Sequence, residues 1–289
     1  MASIELRVGE LTARIGDNAA EGMHRAGYNG VWSLTTRDDQ ENLFVPTVAG
    51  LNFEHIFDGH VGERDKLFEP RHAPMTLRQI AENEVELHQP PTPFWHLESW
   101  TRFTLVAPHF IDITFRCVPH QHTYNHGYIG LFWASYINAP ENKSIYFWGR
   151  REGDRASRWL QLCTQYHYDE STVVHVDEPQ PRLTISDGHP PMLFTNYSAL
   201  RYEEPLMFGR WKDKVFAVMF DRTSGVRFAH SPSGGGSTPD GQDTNPAWDW
   251  QFIIPTYDVN TEYGFKARAV FKRFAGREEL RRMWKDWRP

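Results

Sequence analysis

The chain has 289 residues, of which 40% are hydrophobic and 14% are aromatic, and its formal net charge is −6. A negative chain without concentrated Lys and Arg argues against a nucleic-acid partner, which is bound by clustered cations. The two cysteines are too few for a disulfide framework. No apolar run approaches the roughly 18 residues of a membrane span. With no signal-peptide pattern at the N-terminus, the sequence predicts no membrane contact and a cytoplasmic location.

Alternating apolar and polar residues predict about a dozen β-strands. In chain order these are residues 4–8, 11–15, 30–35, 100–106, 111–117, 128–137, 144–148, 173–176, 215–220, 250–255 and 263–274. Helical spacing is scarce and predicts short helices near residues 75–83, 154–160 and about 276–287. Because strands dominate, we expect an all-β fold, a large antiparallel β-sandwich with a short C-terminal helix.

One domain over residues 1–289 is favoured, because no linker separates two halves. The most biased segment, residues 231–245, is only a short stretch rich in Gly, Ser and Pro, and strand-like sequence follows it at once. It is typical of a mobile loop within a domain, and we expect it to border the functional site.

Three histidines, His120, His122 and His126, stand directly before the aromatic strand 128–137. In an extended chain the side chains of His120 and His122 point to one side, because side chains alternate with period 2. This cluster has three interpretations: acid-base catalysis near neutral pH, a divalent metal site, or a polar rim on a large sandwich.

A second acid-base hypothesis concerns His96 and Glu98, which would share one side of an extended segment. In this interpretation the catalytic residues are His120, His122, His96 and Glu98. Aromatic rings near hydrogen-bonding groups suit sugars, whose C–H faces stack on them. The residues expected to bind substrate are Arg71, His72, Arg116, His126, Trp133, Tyr136, His230, Trp248 and Trp250.

The order of these segments resembles the galactose-mutarotase-like β-supersandwich. The opening IELRVGELTARIGDNAAEG and the following YNGVWSL, the pair Arg71-His72, the segment at His96 and the cluster from His120 to His126 follow the same order. The late strands also contain Asp and Glu. The resemblance implies a large sandwich that binds sugars on a concave sheet. Members include aldose epimerases and domains of glycoside hydrolases and polysaccharide lyases.

A rival resemblance is to the cupin barrel. The string His120-x-His122-x3-His126 is similar to the first metal motif of cupins, although a Glu would usually occupy the position of His126. This resemblance implies a divalent metal bound by the three histidines, whereas the first implies no cofactor.

The sequence thus predicts a carbohydrate-active enzyme that uses His and carboxylate acid-base chemistry on a saccharide, as a glycoside hydrolase, lyase or epimerase. The alternatives are a non-catalytic carbohydrate-binding protein and a cupin-like metalloenzyme.

Overall fold

The structure of the protein, a computed structural model, describes residues 2–62 and 64–288. The strands among those residues are β1 (Ser3–Val8), β2 (Leu11–Gly16), β3 (Gly30–Thr36), β4 (Asn52–Phe57), β5 (Thr76–Ala81), β6 (Glu84–Gln89), β7 (Leu97–Val106), β8 (Phe110–Pro119), β9 (Ile129–Ala134), β10 (Ile145–Arg151), β11 (Arg158–Leu162), β12 (Thr172–His175), β13 (Tyr197–Trp211), β14 (Lys214–Phe220), β15 (Val226–Ser231), β16 (Ala247–Ile254) and β17 (Tyr263–Arg273). The α-helices are α1 (Arg64–Leu67), α2 (Glu69–His72) and α3 (Arg277–Trp287), and a 3₁₀ turn spans Leu193–Thr195.

Fourteen of these strands form one sheet, and β1, β2 and β3 form a second one. The large sheet runs in the order β4-β9-β16-β15-β12-β13-β14-β17-β8-β7-β6-β5, with β10 beside β13 and β11 beside β10. Neighbouring described strands are antiparallel except for β12 and β13, which are parallel. The predicted all-β fold with a C-terminal helix is therefore confirmed.

The large sheet folds over on itself, because aromatic residues from distant strands meet in one core. Phe53 of β4 stacks on Trp133 of β9 with 5.0 Å between ring centroids, and both rings contact Phe115 of β8. Phe265 of β17 packs edge-on against the same Trp133 ring. Burying apolar surface contributes roughly 25 cal/mol per Å². This aromatic core is therefore a main source of the sandwich's stability.

Strand β8 shows how alternation assigns the two faces of the sheet. Its buried residues are Ile111, Ile113, Phe115 and Cys117, as the sequence predicts. The alternate residues of a strand point to the opposite face, away from the core. On β8 these are Asp112, Thr114 and Arg116.

Two parts of the chain pack on the outer faces of the sandwich. Helix α3 packs Leu280 and Trp284 against apolar residues of β13, β14 and β17. Residues 163–171 and 176–195, on either side of β12, cover the outer face of β4 and β9, where Leu193 and Phe194 join Phe57 in one apolar cluster. The outer face of β6, β7 and β8 instead bears polar side chains. No helix in the described part of the chain is both long and apolar enough to cross a membrane.

Two predicted helices are wrong. Residues 76–81 form strand β5, which pairs with β6 in a hairpin. In the region 154–160, strand β11 begins at Arg158 and pairs with β10. In both places pairing with a neighbouring strand overrides the weak helical preference of a short segment, because tertiary context outweighs intrinsic propensity.

Candidate functional site

Strand β4 is not among the strands predicted from the sequence. The irregular register of its pairing with β9 positions side chains of the candidate site. Phe53 lies opposite Trp133 and His55 lies opposite Phe132, so Glu54 is an extra residue and forms a β-bulge. Phe53 faces the core. Glu54 and His55 both face the outer cluster, since Glu54 contacts Tyr136 and His55 stacks on Phe132. The bulge therefore places two consecutive ionisable residues on one face.

Two adjoining cavities of about 250 and 210 Å³ lie over this strand, and we call them together the β4 pocket. Their walls come from helices α1 and α2 and from residues 163–171 and 176–195 on either side of β12. Residues common to both are Arg64, Phe68, Tyr168 and Met192. Together the cavities reach the size of ligand pockets, roughly 300–1,000 Å³.

A buried ion pair forms one wall of the β4 pocket. The guanidinium of Arg71 and the hydroxyl of Tyr136 both donate to Glu54 Oε1, and Arg71 also donates to the Tyr136 oxygen at 2.9 Å. The Arg71 guanidinium lies over the rings of Tyr28 and Phe68, at 4.3 and 4.5 Å. Burial raises the pKa of Tyr136, so its phenol stays protonated and donates. Arg71 and Tyr136, both predicted to bind substrate, thus lie together in this pocket.

His55 is held neutral next to this pair. Burial lowers its pKa to about 3, and the charge of Arg64 acts in the same direction. Its ring stacks on Phe132 at 4.9 Å and meets Phe68 edge-on at 4.4 Å. Neither ring nitrogen has a hydrogen-bond partner among the described residues, and Nε2 lies 3.6 Å from Glu54 Oε2. Burying a polar group without a hydrogen-bond partner costs free energy. Such unpartnered groups are a common feature of ligand sites.

Asp249 of β16 is a buried carboxyl in the same pocket. Burial raises its pKa well above the usual range, while a hydrogen bond from the backbone N–H of Ser135 to Oδ1, at 3.1 Å, opposes the shift. No cation is paired with it in the described part of the chain. The group therefore keeps its proton to higher pH than an ordinary aspartate.

The far end of the pocket contains an oriented imidazole. Asp58 Oδ1 accepts hydrogen bonds from the backbone N–H of His60, at 3.0 Å, and from its ring nitrogen Nδ1. The other carboxylate oxygen accepts the backbone N–H of Asn125, so the carboxylate is fixed. The His60 side chain is 17% exposed and its ring lies 5.6 Å from that of Trp95. Because Nδ1 donates to Asp58, Nε2 is the nitrogen left to accept a proton.

The predicted catalytic residues lie elsewhere, on the outer face of β6, β7 and β8. Glu98 accepts hydrogen bonds from Nε2 of His120, at 2.9 Å, and from Nε2 of His88, at 2.8 Å. Burial opposes the charge of Glu98, yet the hydrogen bonds from the two histidines lower its pKa. His96 is not paired with Glu98. It adopts φ = +51° in the turn before β7, and its carbonyl accepts the backbone N–H of His120.

The other members of the predicted set are spread over the surface. His122 contacts the ring of Tyr257, and His126 bonds Ser186 at 3.1 Å. Arg116 lies over Trp100 at 4.2 Å and pairs with Glu262. His72 is exposed at the end of α2. Among residues 2–62 and 64–288, no set of three or more His, Cys, Asp and Glu side chains is arranged to hold a metal ion.

The rings expected to stack on a ligand are core residues. Trp133 and Trp250 stack on each other at 5.7 Å, and Trp248 donates its indole N–H to the carbonyl of Lys143. His230 also lies inside, and burial lowers its pKa to about 4. These four side chains are at most 2% exposed, so packing accounts for them.

Sequence reasoning missed Glu54, His55, Asp58, His60 and Asp249. A signal was present in NFEHIFDGH, where carboxylates and histidines interrupt an apolar run. Polar residues inside a buried strand need partners or a function. The bulge hides this strand from an alternation search, because it breaks the period of two.

No protein-family model and no curated protein sequence matches the chain. Solved structures do match. A putative aldose 1-epimerase from Escherichia coli K12 superimposes with a TM-score of 0.54 at 8% identity, over 94% of this chain and 99% of that one. The Slr1438 protein from Synechocystis sp. PCC 6803 gives 0.53 at 9% identity, over 94% and 96%. A heparan sulfate lyase HepC mutant from Pedobacter heparinus gives 0.48 at 9%, over 95% of this chain and 35% of that one.

At 8% and 9% identity, the first two likenesses show the fold alone. They extend over nearly the whole length of both partners. The architecture predicted from the order of the sequence segments is confirmed: the chain has the fold of the galactose-mutarotase-like β-supersandwich.

Proposed function

We propose that the protein is an enzyme that acts on a small saccharide in the β4 pocket by acid-base chemistry, of the aldose-epimerase type. The observation that supports this most is the pair of Asp58 and His60. A carboxylate that fixes one ring nitrogen leaves the other as a directed proton acceptor, which is the arrangement of a general base.

The other groups of the pocket fit the same reaction. Interconversion of sugar anomers takes a proton from the hydroxyl at C1 and gives a proton to the ring oxygen. His60 is the proposed acceptor, and the imidazolium that it becomes returns a proton to the ring oxygen, which is bonded to the same carbon as that hydroxyl. Arg71 with Glu54 offers donors and acceptors to the remaining hydroxyls, and the ring of Phe68 offers an apolar surface to the C–H face.

The size of the pocket and the fold likeness support the choice of substrate. Cavities of about 250 and 210 Å³ suit one sugar ring better than a long chain. One structure with the same fold is described as a putative aldose 1-epimerase. A hydrolase that uses the same groups is tested in the same experiment.

The test compares two imidazoles that are each bonded to a carboxylate, His60 in the β4 pocket and His120 on the outer face. Anomer interconversion is followed by polarimetry for a panel of aldoses, with chromogenic glycosides assayed in parallel. We expect His60→Gln to lower kcat by about 10²- to 10⁴-fold, the usual share of a general base. His120→Gln is the matched control and should leave kcat within about twofold.

Loss of activity in His120→Gln with full activity in His60→Gln would move the site to the outer face of β6, β7 and β8. Turnover of a glycoside with no effect on anomers would keep the pocket and change the reaction to hydrolysis. Saccharide binding without any turnover would make the protein a carbohydrate-binding module.

A further inference from the structure

A second cavity on the same sheet face surrounds a buried arginine. Arg227 belongs to β15, and its neighbour Phe228 points into the core. Arg227 itself is 1% exposed and lines a cavity of about 790 Å³ beneath the segment that includes Gln180 and Pro181. This cavity shares no lining residue with the two cavities of the β4 pocket.

The hydrogen bonds of Arg227 all go to neutral oxygens. Nη1 donates to the carbonyl of Pro181 and to the hydroxyl of Tyr197, both at 3.3 Å, and Nη2 donates to the carbonyl of Gln180 at 3.0 Å. Nε has no partner. Carbonyl and hydroxyl oxygens satisfy single donors without neutralising the cation, and no carboxylate of the described residues is paired with it.

Other cationic side chains with little solvent exposure in this protein do have carboxylate partners. Lys214 has a side chain that is 4% exposed, and its ammonium lies 3.3 Å from Asp213 and 3.6 Å from Asp39. Arg268 forms a two-pronged pair with Asp112, at 2.5 and 2.8 Å. An unpaired buried charge is costly, and side chains normally avoid it by pairing. Arg227 departs from the pattern that the same chain follows elsewhere.

We propose that this cavity binds a ligand through one oxyanion group, a carboxylate, sulfate or phosphate, and that Arg227 is its anchor. Nε and Nη2 form one edge of the guanidinium, and each has a donor left. Two parallel N–H donors match two oxygens of an oxyanion. Arg182 also lines the cavity, and it lies over the Tyr197 ring at 5.4 Å, against 5.8 Å for Arg227.

Two carboxylates limit which ligands fit. Asp177 and Glu178 line the same cavity, Asp177 with an exposed side chain. They repel a polyanion and accept hydrogen bonds from hydroxyls. The ligand that fits is therefore one with a single anionic group beside neutral hydrogen-bonding groups, such as an acidic sugar unit. This site does not depend on the reaction proposed for the β4 pocket.

The test measures binding of three separate probes, glucuronate, inorganic sulfate and inorganic phosphate, by titration calorimetry and by the melting temperature. Because the chain has net charge −6, saturable anion binding reports a local site. We expect at least one probe to bind the wild-type protein saturably, and the tightest one identifies the kind of oxyanion. Arg227→Gln should weaken that binding about tenfold or more, since it removes charge-assisted hydrogen bonds. The control Arg116→Gln, on the outer face, should bind as the wild type does.

A structural role for Arg227 gives a different result. If the guanidinium only holds the covering segment, Arg227→Gln melts at a lower temperature and the wild type shows no saturable binding of any probe, which overturns the proposal. Equal binding by the wild type and Arg227→Gln overturns it as well. Should Arg227→Gln fail to fold, a crystal structure of the wild type with the tightest probe decides. The anion must lie within hydrogen-bond distance of Arg227 Nε, and any other position contradicts the site.

Discussion

At the scale of single residues, the β4 pocket separates ionisable groups by their surroundings. Glu54 has a cation beside it, whereas Asp249 has none. His55 is enclosed by rings, whereas His60 is fixed by a carboxylate and reaches solvent. Burial without a partner favours the neutral form, and a charged partner favours the ionised form. Groups of the same chemical type can therefore take different parts in one reaction.

The raised pKa of Asp249 predicts a particular dependence of stability on pH. The unfolded chain releases this proton from about pH 4 upward, while the folded protein keeps it. The stability of the wild type therefore falls as pH rises between the unfolded and folded pKa values. The variant Asp249→Asn has no such proton. The difference between its free energy of unfolding and that of the wild type should therefore increase in favour of the variant as pH rises, by up to about 1.4 kcal/mol per pH unit within that interval. Urea denaturation at several pH values from 5 to about 8 measures it.

The control for this experiment is Asp286→Asn, which changes an exposed carboxylate of helix α3. Its difference from the wild type should stay constant over the same pH range. A constant difference for Asp249→Asn as well would mean that Asp249 is ionised in the folded protein.

Sequence reasoning named two residues of the β4 pocket. Arg71 and Tyr136 were expected to bind substrate and both lie in the pocket. Glu98 was expected to pair with His96, but its partners are His88 of the neighbouring strand β6 and His120, which directly follows the neighbouring strand β8. A contact between strands depends on register, and register is set by the whole sheet. The sequence alone could not provide it.

At the scale of elements, regular alternation made strands predictable and irregularity hid them. Strand β8 follows a period of two over its whole length, and its faces were assigned correctly. Strand β4 contains a bulge, and its six residues are all buried because both of its faces are covered, so no alternation is visible. Bulges are frequent next to active sites, because they re-aim side chains. The element that matters most for the proposed chemistry was therefore the hardest to predict.

The C-terminal helix is the one α-helix of the described residues whose position the sequence predicted, and it covers an outer face of the sheet. Leu280 and Trp284 of α3 are buried against β13, β14 and β17. Leu280→Ala should lower the free energy of unfolding by about 2–5 kcal/mol, the usual cost of a cavity in a packed core. Activity at the β4 pocket should persist, since none of its lining residues belongs to α3. The urea midpoint and kcat measure the two effects.

Arg282→Ala is the control within the same helix, because the Arg282 side chain is exposed. Its free energy of unfolding should stay within about 0.5 kcal/mol of the wild-type value. An equally small change in the free energy of unfolding for Leu280→Ala would show that packing of this helix does not contribute to the cooperative unfolding transition.

At the scale of the whole molecule, the order of segments predicted the architecture better than it predicted the site. The strands that meet in the core come from both ends of the sheet, and many aromatic residues were available to fill it. Hydrophobic burial does not depend on direction, so composition and alternation suffice to indicate a sandwich. Which outer face binds a ligand depends on a bulge and on the covering residues 163–171 and 176–195, and neither leaves a regular pattern.

One hydrogen-exchange experiment can tell whether a ligand binds in the β4 pocket or on the outer face of β6, β7 and β8. A ligand that occupies the β4 pocket contacts residues of 163–171, 176–195 and the loop 231–245, since Tyr168, Met192 and Gly234 line it. Binding raises the free energy of opening of the segments it touches. At a concentration of about 100 Kd, amide exchange there should therefore slow by up to about 100-fold. The probe is the aldose that gives the largest rate, and peptides from β6, β7 and β8 serve as the internal control. Protection confined to those strands would assign ligand binding to the face of His88, Glu98 and His120, and would reject the β4 pocket as the site.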